Sequence, residues 1–301
     1  GLGFEMLTRT GRGELLIKKN DFVCLVSDFS KYPNSTLQDG TDTIFHANLE
    51  KYNAGHSPFL HFARLLKREL GHPIGILPAA LGGSPLEDWH PRRGPLFANL
   101  AAMVARAGGS VRGMVWCQGE TDAEPGRAET YLERFLESLD GWREALGREL
   151  PVLTVQTGRY RSQNPGEEDR EWSLIREAQR QAARLRPGVT VVPALDLPLD
   201  DTIHFASSGN LDLADRLARC ALGAVYGRRV EYRAPELAEA VRRDDSHLEL
   251  RFAPVTSRLD TRHPSARPFR VEDGQGVIDT DAGTYYRRDT VRLRLARMPV
   301  G

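Results

Sequence analysis

Cysteine is scarce in this chain. The three residues, Cys24, Cys117 and Cys220, lie far apart, which is neither a disulfide framework nor a zinc-binding spacing. Buried thiols acting as small hydrophobes are the expected reading, set against a Cys–His catalytic pair. An excess of either charge is also missing. Lys+Arg and Asp+Glu stand at 41 each in 301 residues, so no global field favours nucleic acid or an anionic membrane. Lysine itself is limited to positions 18, 19, 31, 51 and 67, and the arginine bias reflects genome composition more plausibly than function. No apolar run approaches the length of a membrane span. The first residues, "GLGFEMLTRTGRGEL", contain neither an initiator Met nor a signal-peptide pattern. The chain reads as if something upstream has been removed, and it stops abruptly at "RLARMPVG".

What is present is ordinary for a globular protein: 40% hydrophobic and 27% charged residues, with a mean hydropathy of −0.43. From about Gly71 to Gly227, short apolar strands alternate with helical stretches, which predicts an α/β fold with a parallel sheet. "PFLHFARLLKREL" at 58–70 has apolar residues at helical spacing and ends at Gly71. "PIGILPAAL" then reads as a buried strand, "GPLFANLAAMVARAGG" as a helix and "VRGMVWCQGE" as the next strand with its exit loop. The same rhythm predicts a helix over 129–149, a strand in "PVLTVQTGRY", a helix over 168–185, a strand in "VTVVPALDL" and a closing helix over 206–226. After Tyr226, "HLELRFAPV", "RPFRVED" and "GTYYRRDTVRLRLARM" alternate in the manner of β-strands. The expected organisation is therefore an α/β domain over 1–227, with an irregular insertion at 8–55 carrying one strand, "DFVCLVS", and a small β-rich module over 228–301.

Three segments place polar residues directly after a strand, at the carboxyl edge where open α/β sheets bind ligands. In "DDTIHFASSGN", Asp201 and His204 are three residues apart. An aspartate accepting from His Nδ1–H fixes the tautomer and leaves Nε2 available as a general base; simple turn capping by the aspartate is the alternative. In "GMVWCQGETDA", Gln118, Gly119 and Glu120 bring an amide donor suited to an oxyanion, a permissive backbone and a carboxylate, or else form an ordinary loop before a helix. In "AALGGSPLEDW", paired glycines expose backbone N–H groups, and Ser84 is open to reading as a turn cap or as a nucleophile. That last segment carries no phosphate-binding glycine motif and no GxSxG elbow.

Taken together, "PIGILPAALGGSPLEDW", "VRGMVWCQGETDA" and "DDTIHFASSGN" resemble sequence blocks of the SGNH (GDSL-like) hydrolase superfamily, and more narrowly its sialate O-acetylesterase and carbohydrate esterase family 6 branch. "WSLIREAQ" at 172–179 resembles the segment such proteins carry before their last core strand. The likeness covers roughly residues 55 to 227. It implies a three-layer α/β/α fold of flavodoxin-like kind and hydrolysis of acetyl esters on sugars by a serine nucleophile, with no metal or other cofactor. It implies His204 as general base with Asp201 as its orienting partner and Glu120 as a rival for that role. Gly83 would give a backbone oxyanion donor and Gln118 a side-chain donor.

The chain departs from this pattern in one respect. The nucleophile's "GQSN" block is absent, and its expected place is just upstream of Gly1, because "GRGEL" resembles what commonly follows it. A silent carbohydrate-binding protein on the same fold, or a lipase or thioesterase of the same superfamily, are the competing readings. Trp89 and Trp116, close to the motifs, suit stacking on a sugar ring and, with no long apolar stretch for a lipid cleft, count against the lipase or thioesterase reading; the expected partner is an acetylated carbohydrate, with neither nucleic acid nor membrane. The identity of the sugar, the oligomeric state and the cellular compartment are not legible in these motifs.

Overall fold

The structure, a computed structural model, describes residues 57–160, 170–256, 259, 269–280 and 285–300. The expected insertion at 8–55, with its strand and Cys24, lies outside the described residues. The chain divides into two compact units between Tyr232 and Arg233.

In the first unit, α1 (Pro58–Leu70) starts and stops where its residues dictate. The Ser57 hydroxyl accepts from the Phe59 N–H, Pro58 fills the first turn where no donor is needed, and Gly71 ends the helix at φ 77° with its N–H on the Lys67 carbonyl. A single 3-10 turn (Leu86–Trp89) precedes α2 (Pro95–Arg106). Strand β1 (Met114–Cys117), helix α3 (Tyr131–Leu146), strand β2 (Val152–Val155), helix α4 (Arg170–Leu185), strand β3 (Val189–Val192) and helix α5 (Ser207–Cys220) follow in strict alternation. The three strands form a parallel sheet in the order β1-β2-β3. A π-helical turn (Ala221–Val225) extends α5.

Side-chain alternation along the strands builds the layers. Met114, Trp116, Val152 and Val189 face a core completed by Phe97 and Leu100 of α2, Phe135 and Trp142 of α3 and Ile175 of α4. Val115, Leu153, Val155 and Val192 face the opposite core, completed by Phe62 and Leu66 of α1 and Leu213 and Leu217 of α5. Helices therefore cover both faces, giving the three-layer α/β/α architecture. No described helix is long and apolar enough to cross a membrane.

Two expectations need correction. "PIGILPAAL" does not form a regular strand. Only Gly75 makes a bridge, because Pro73 and Pro78 lack the N–H groups a ladder requires; Ile74 is nonetheless buried in the core. The thiols also differ from expectation. Cys220 is buried, with its thiol pushed up to about 12 by loss of solvent, whereas Cys117 is exposed at the end of β1.

The division falls somewhat beyond the change of composition at Tyr226. The intervening residues return to the α/β unit: the Tyr232 ring packs where a Gly223 side chain would stand, and its carbonyl accepts from Cys220 at 3.4 Å.

The second unit is all β. Strands β4 (Glu236–Arg242), β5 (His247–Ala253), β8 (Tyr285–Tyr286) and β9 (Thr290–Arg294) form an antiparallel sheet in the order β4-β5-β9-β8, and β6 (Val271–Asp273) pairs with β7 (Gly276–Ile278) as a hairpin. Leu250, Ile278, Val291, Leu293 and Leu295 form its core.

Candidate active site

Of the residues singled out in the sequence, Gln118, Gly119 and Glu120 fall on the loop at the carboxyl end of β1, and Asp201 and His204 on the loop after β3. The loop after β3 carries the Asp–His pair. It is closed by a bridge between Leu199 and Phe205, by Asp200 N–H on the His204 carbonyl at 2.9 Å and by Ala206 N–H on the Pro198 carbonyl at 2.9 Å.

Within this loop one carboxylate does two tasks. Asp201 Oδ1 accepts the N–H groups of Ile203 and His204 at 2.8 and 2.7 Å, while Oδ2 lies 2.6 Å from His204 Nδ1. Turn capping and the Asp–His pairing are thus both made by this segment. Partial burial works against the Asp201 charge, but the His204 and Ile203 N–H groups and the His204 ring outweigh it and hold the carboxyl down at about 2. A carboxylate there accepts a proton on Nδ1, which directs the basic lone pair to Nε2. The His204 side chain is 61% exposed, and no hydrogen bond among the described residues engages its Nε2.

Pairing alone does not mark the site. Asp244 and His247, at the turn between β4 and β5, repeat the same local geometry: Asp244 Oδ1 accepts the N–H groups of Ser246 and His247 at 2.8 and 2.9 Å, and His247 Nδ1 lies 2.9 Å from the carboxylate. What distinguishes His204 is its place at the edge of the parallel sheet.

The loop after β1 rests on a buried polar network. Gln118 is 8% exposed. Its Nε2 donates to Asp122 Oδ2 at 2.7 Å and to the Ser84 carbonyl at 3.3 Å, and its Oε1 accepts from the Tyr131 hydroxyl at 3.0 Å. Gly119 sits at φ 152°, with Ile175 and Thr157 methyl groups 2.6 Å from where a Cβ would stand. Glu120 is half-buried in the following turn, and the carboxylate that His204 reaches is that of Asp201. Gln179, fully buried on α4, donates to the carbonyls of Gln118 and Val155 at 3.0 and 3.2 Å and accepts from Thr157 N–H at 2.9 Å.

Through these contacts the loops after β1 and β2 are bolted together. The β2 loop meets the His204 loop in turn, where Phe205 packs on Gly158 and Arg159 donates to the Leu197 carbonyl at 3.1 Å.

The glycine-rich loop before the 3-10 turn joins the same edge. Gly83 takes φ 71°, and the space where its Cβ would stand is open, which suits a backbone donor facing a ligand. Ser84 has another use. Its hydroxyl donates to the Leu81 carbonyl at 2.6 Å and accepts from the Trp89 indole N–H at 2.9 Å, so it acts as a turn latch.

The expected sugar-stacking tryptophans are corrected by burial. Trp89 is 3% and Trp116 is 5% exposed. They pack edge to face at 5.8 Å within the core, and the Trp89 carbonyl accepts from Trp142 Nε1 at 2.7 Å. Their faces are not available to a ring in solution.

Sequence reasoning missed Asp122, Tyr131 and Gln179. Asp122 carried a signal as an acid four residues after Gln118, within reach of it across a turn, and Gln179 as the last residue of "WSLIREAQ".

Comparison with known proteins bears on the family and the fold. The family described as carbohydrate esterase, sialic acid-specific acetylesterase, matches residues 34–223. The chain belongs to that family. Among solved structures, this member of the sialic acid-specific acetylesterase family is similar to a carbohydrate acetylesterase from Xanthomonas citri, with 27% identity and a TM-score of 0.69 over 81% of the present chain. The chain spans 58% of the length of that protein. It is also similar to an Arabidopsis thaliana protein at 27% identity, with a TM-score of 0.49 over 57% of this chain and 70% of that one. No curated protein matches this family member.

Proposed function

We propose that the protein is a carbohydrate O-acetylesterase that removes acetyl groups from sugar hydroxyls with a serine nucleophile carried outside the described residues. His204 Nε2 takes the proton from the serine hydroxyl as its oxygen attacks the acetyl carbonyl. The tetrahedral oxyanion collapses, the bond between acetyl carbon and sugar oxygen breaks, and His204 returns the proton to the leaving sugar oxygen. Water, deprotonated by the same ring, then attacks the acyl-serine; the bond from acetyl carbon to serine oxygen breaks, acetate leaves and His204 returns the proton to the serine oxygen. Asp201 holds the ring and stabilises the imidazolium formed in each half-reaction.

The Gly83 N–H and the Gln118 amide face the oxyanion. The 3.3 Å bond from Gln118 to the Ser84 carbonyl is the longer of its two donations, and it is the one that an oxyanion, as a charged and stronger acceptor, takes over. The single observation that carries this reading is the Asp201–His204 pair at the carboxyl edge of the sheet in a member of an acetylesterase family.

The test is acetate release from a panel of O-acetylated sugars, sialates included, by the full-length protein and its His204→Ala variant. Loss of the base lowers turnover on the order of 10²–10⁴. Sugar binding without acetate release, equal in both proteins, identifies a silent binding protein and refutes the esterase reading.

A further inference from the structure

We infer that Asp122 and Tyr131 act together as a clamp that fixes which way the Gln118 amide points, making both of them positioning residues for the oxyanion site. The inference rests on the reading of Gln118 as an oxyanion donor, and it assigns a role to two side chains that this reading alone does not involve.

The argument starts from what a carboxylate can do. An ionised carboxylate only accepts, so whatever amide atom faces it must be the NH₂. Asp122 is fully buried, and its Oδ2 receives both Gln118 Nε2 and the Leu86 N–H at 2.7 Å. Its Oδ1 faces the Arg134 guanidinium at 2.9 Å as an ion pair without hydrogen-bond geometry. That guanidinium is the counter-charge of the buried carboxylate, which no other cation among the described residues approaches as closely.

On the other side of the amide, Tyr131 is fully buried and its hydroxyl lies 3.0 Å from Gln118 Oε1. Burial pushes this phenol well above its ordinary range, so it stays protonated and offers a hydrogen to the carbonyl oxygen. A flipped amide would set Oε1 against a carboxylate. Acceptor on one side and donor on the other therefore leave one orientation of Gln118.

The clamp has a second consequence. The Leu86 N–H belongs to the 3-10 turn that follows Gly83 and Ser84. The same Asp122 oxygen thus ties the loop supplying the backbone donor to the loop supplying the side-chain donor, across 36 residues of sequence. The two proposed donors share one anchor point, which fixes their separation before substrate arrives.

The experiment is a pair of double-mutant cycles in the full-length protein, with kcat and KM measured for Asp122→Asn, Tyr131→Phe, Gln118→Ala and the two doubles. Thermal unfolding is recorded for every variant. Asp122→Asn is expected to lower kcat about ten- to a hundredfold with KM changed by less than about threefold, the size of a misplaced rather than a missing group. Tyr131→Phe is expected to lower kcat about three- to tenfold. In the Gln118→Ala background each further loss shrinks to within about twofold, because the group acted upon is gone.

Should Asp122→Asn fail to fold, the Tyr131→Phe cycle, which removes one oxygen from a ring that keeps its packing, decides alone. Losses that multiply with that of Gln118→Ala would mean a general structural role and overturn the clamp. A Gln118→Ala variant with full activity would instead overturn the oxyanion reading of Gln118, and the clamp with it, while leaving His204 as the base.

Discussion

Replacing Gly119 by alanine tests whether the floor of the site is as tightly built as the geometry indicates. Two separable effects act at this position. At φ 152° the backbone lies where side chains are rarely tolerated, a strain of about 1–3 kcal/mol. The new methyl would also stand 2.6 Å from the Ile175 and Thr157 Cγ2 atoms. Both are buried residues with no room to retreat, and such overpacking adds about 1–3 kcal/mol. The sum is about 2–6 kcal/mol, or a fall in Tm of roughly 5–20 °C for a unit of this size.

Gly126→Ala supplies the control. It has φ 83° but nothing within 4 Å of the added methyl, so only the backbone effect operates, at about 1–2 kcal/mol. Urea unfolding of both variants, followed by tryptophan fluorescence, measures the difference. Equal losses for the two, within about 0.5 kcal/mol, would refute the claim that Ile175 and Thr157 enclose the Gly119 backbone.

Other outcomes follow from the same contacts. Ser84→Ala leaves the buried Trp89 N–H without its acceptor and costs about 1–3 kcal/mol of stability, yet kcat stays within about tenfold, far from the loss on the order of 10⁶ for a missing nucleophile; a folded but inactive variant would make Ser84 the nucleophile. Asp201, held at about 2 against an ordinary 3.8, contributes stability that is complete above pH 4 and lost as pH falls through about 2. Asp201→Asn should therefore unfold with a flatter acid limb than the parent in a Tm-versus-pH series, and an unchanged limb would show that the lowered value has another source.

Much of the fold was legible because its signals are local. Ser57, Pro58 and Gly71 bound α1 where the sequence reading placed it, and the alternating Met114, Val115 and Trp116 divide between two cores as a strand covered on both faces must. The Asp201–His204 pair was legible for the same reason: its partners are three residues apart. Errors arose where distant packing decided. Trp89 reads as an available aromatic until Ser84 and Trp142 are seen to bind both its polar groups. Pro73 and Pro78 were given less weight than the apolar residues between them. Gln179 reaches the Gln118 carbonyl from 61 residues away, a separation at which no periodicity or spacing rule carries information.

The dyad loop has a bearing on how this protein assembles and how it could have arisen. Every contact that sets the His204 ring comes from Asp201 and two peptide N–H groups within the same four residues. Loop closure over so short a span is fast and entropically cheap, whereas pairing the parallel strands across their long crossovers is non-local and slow. The recurrence of the arrangement in the β4–β5 turn shows that the pairing itself does not depend on the parallel sheet. For a new hydrolytic site, then, the scarce ingredient is a sheet edge at which to place it.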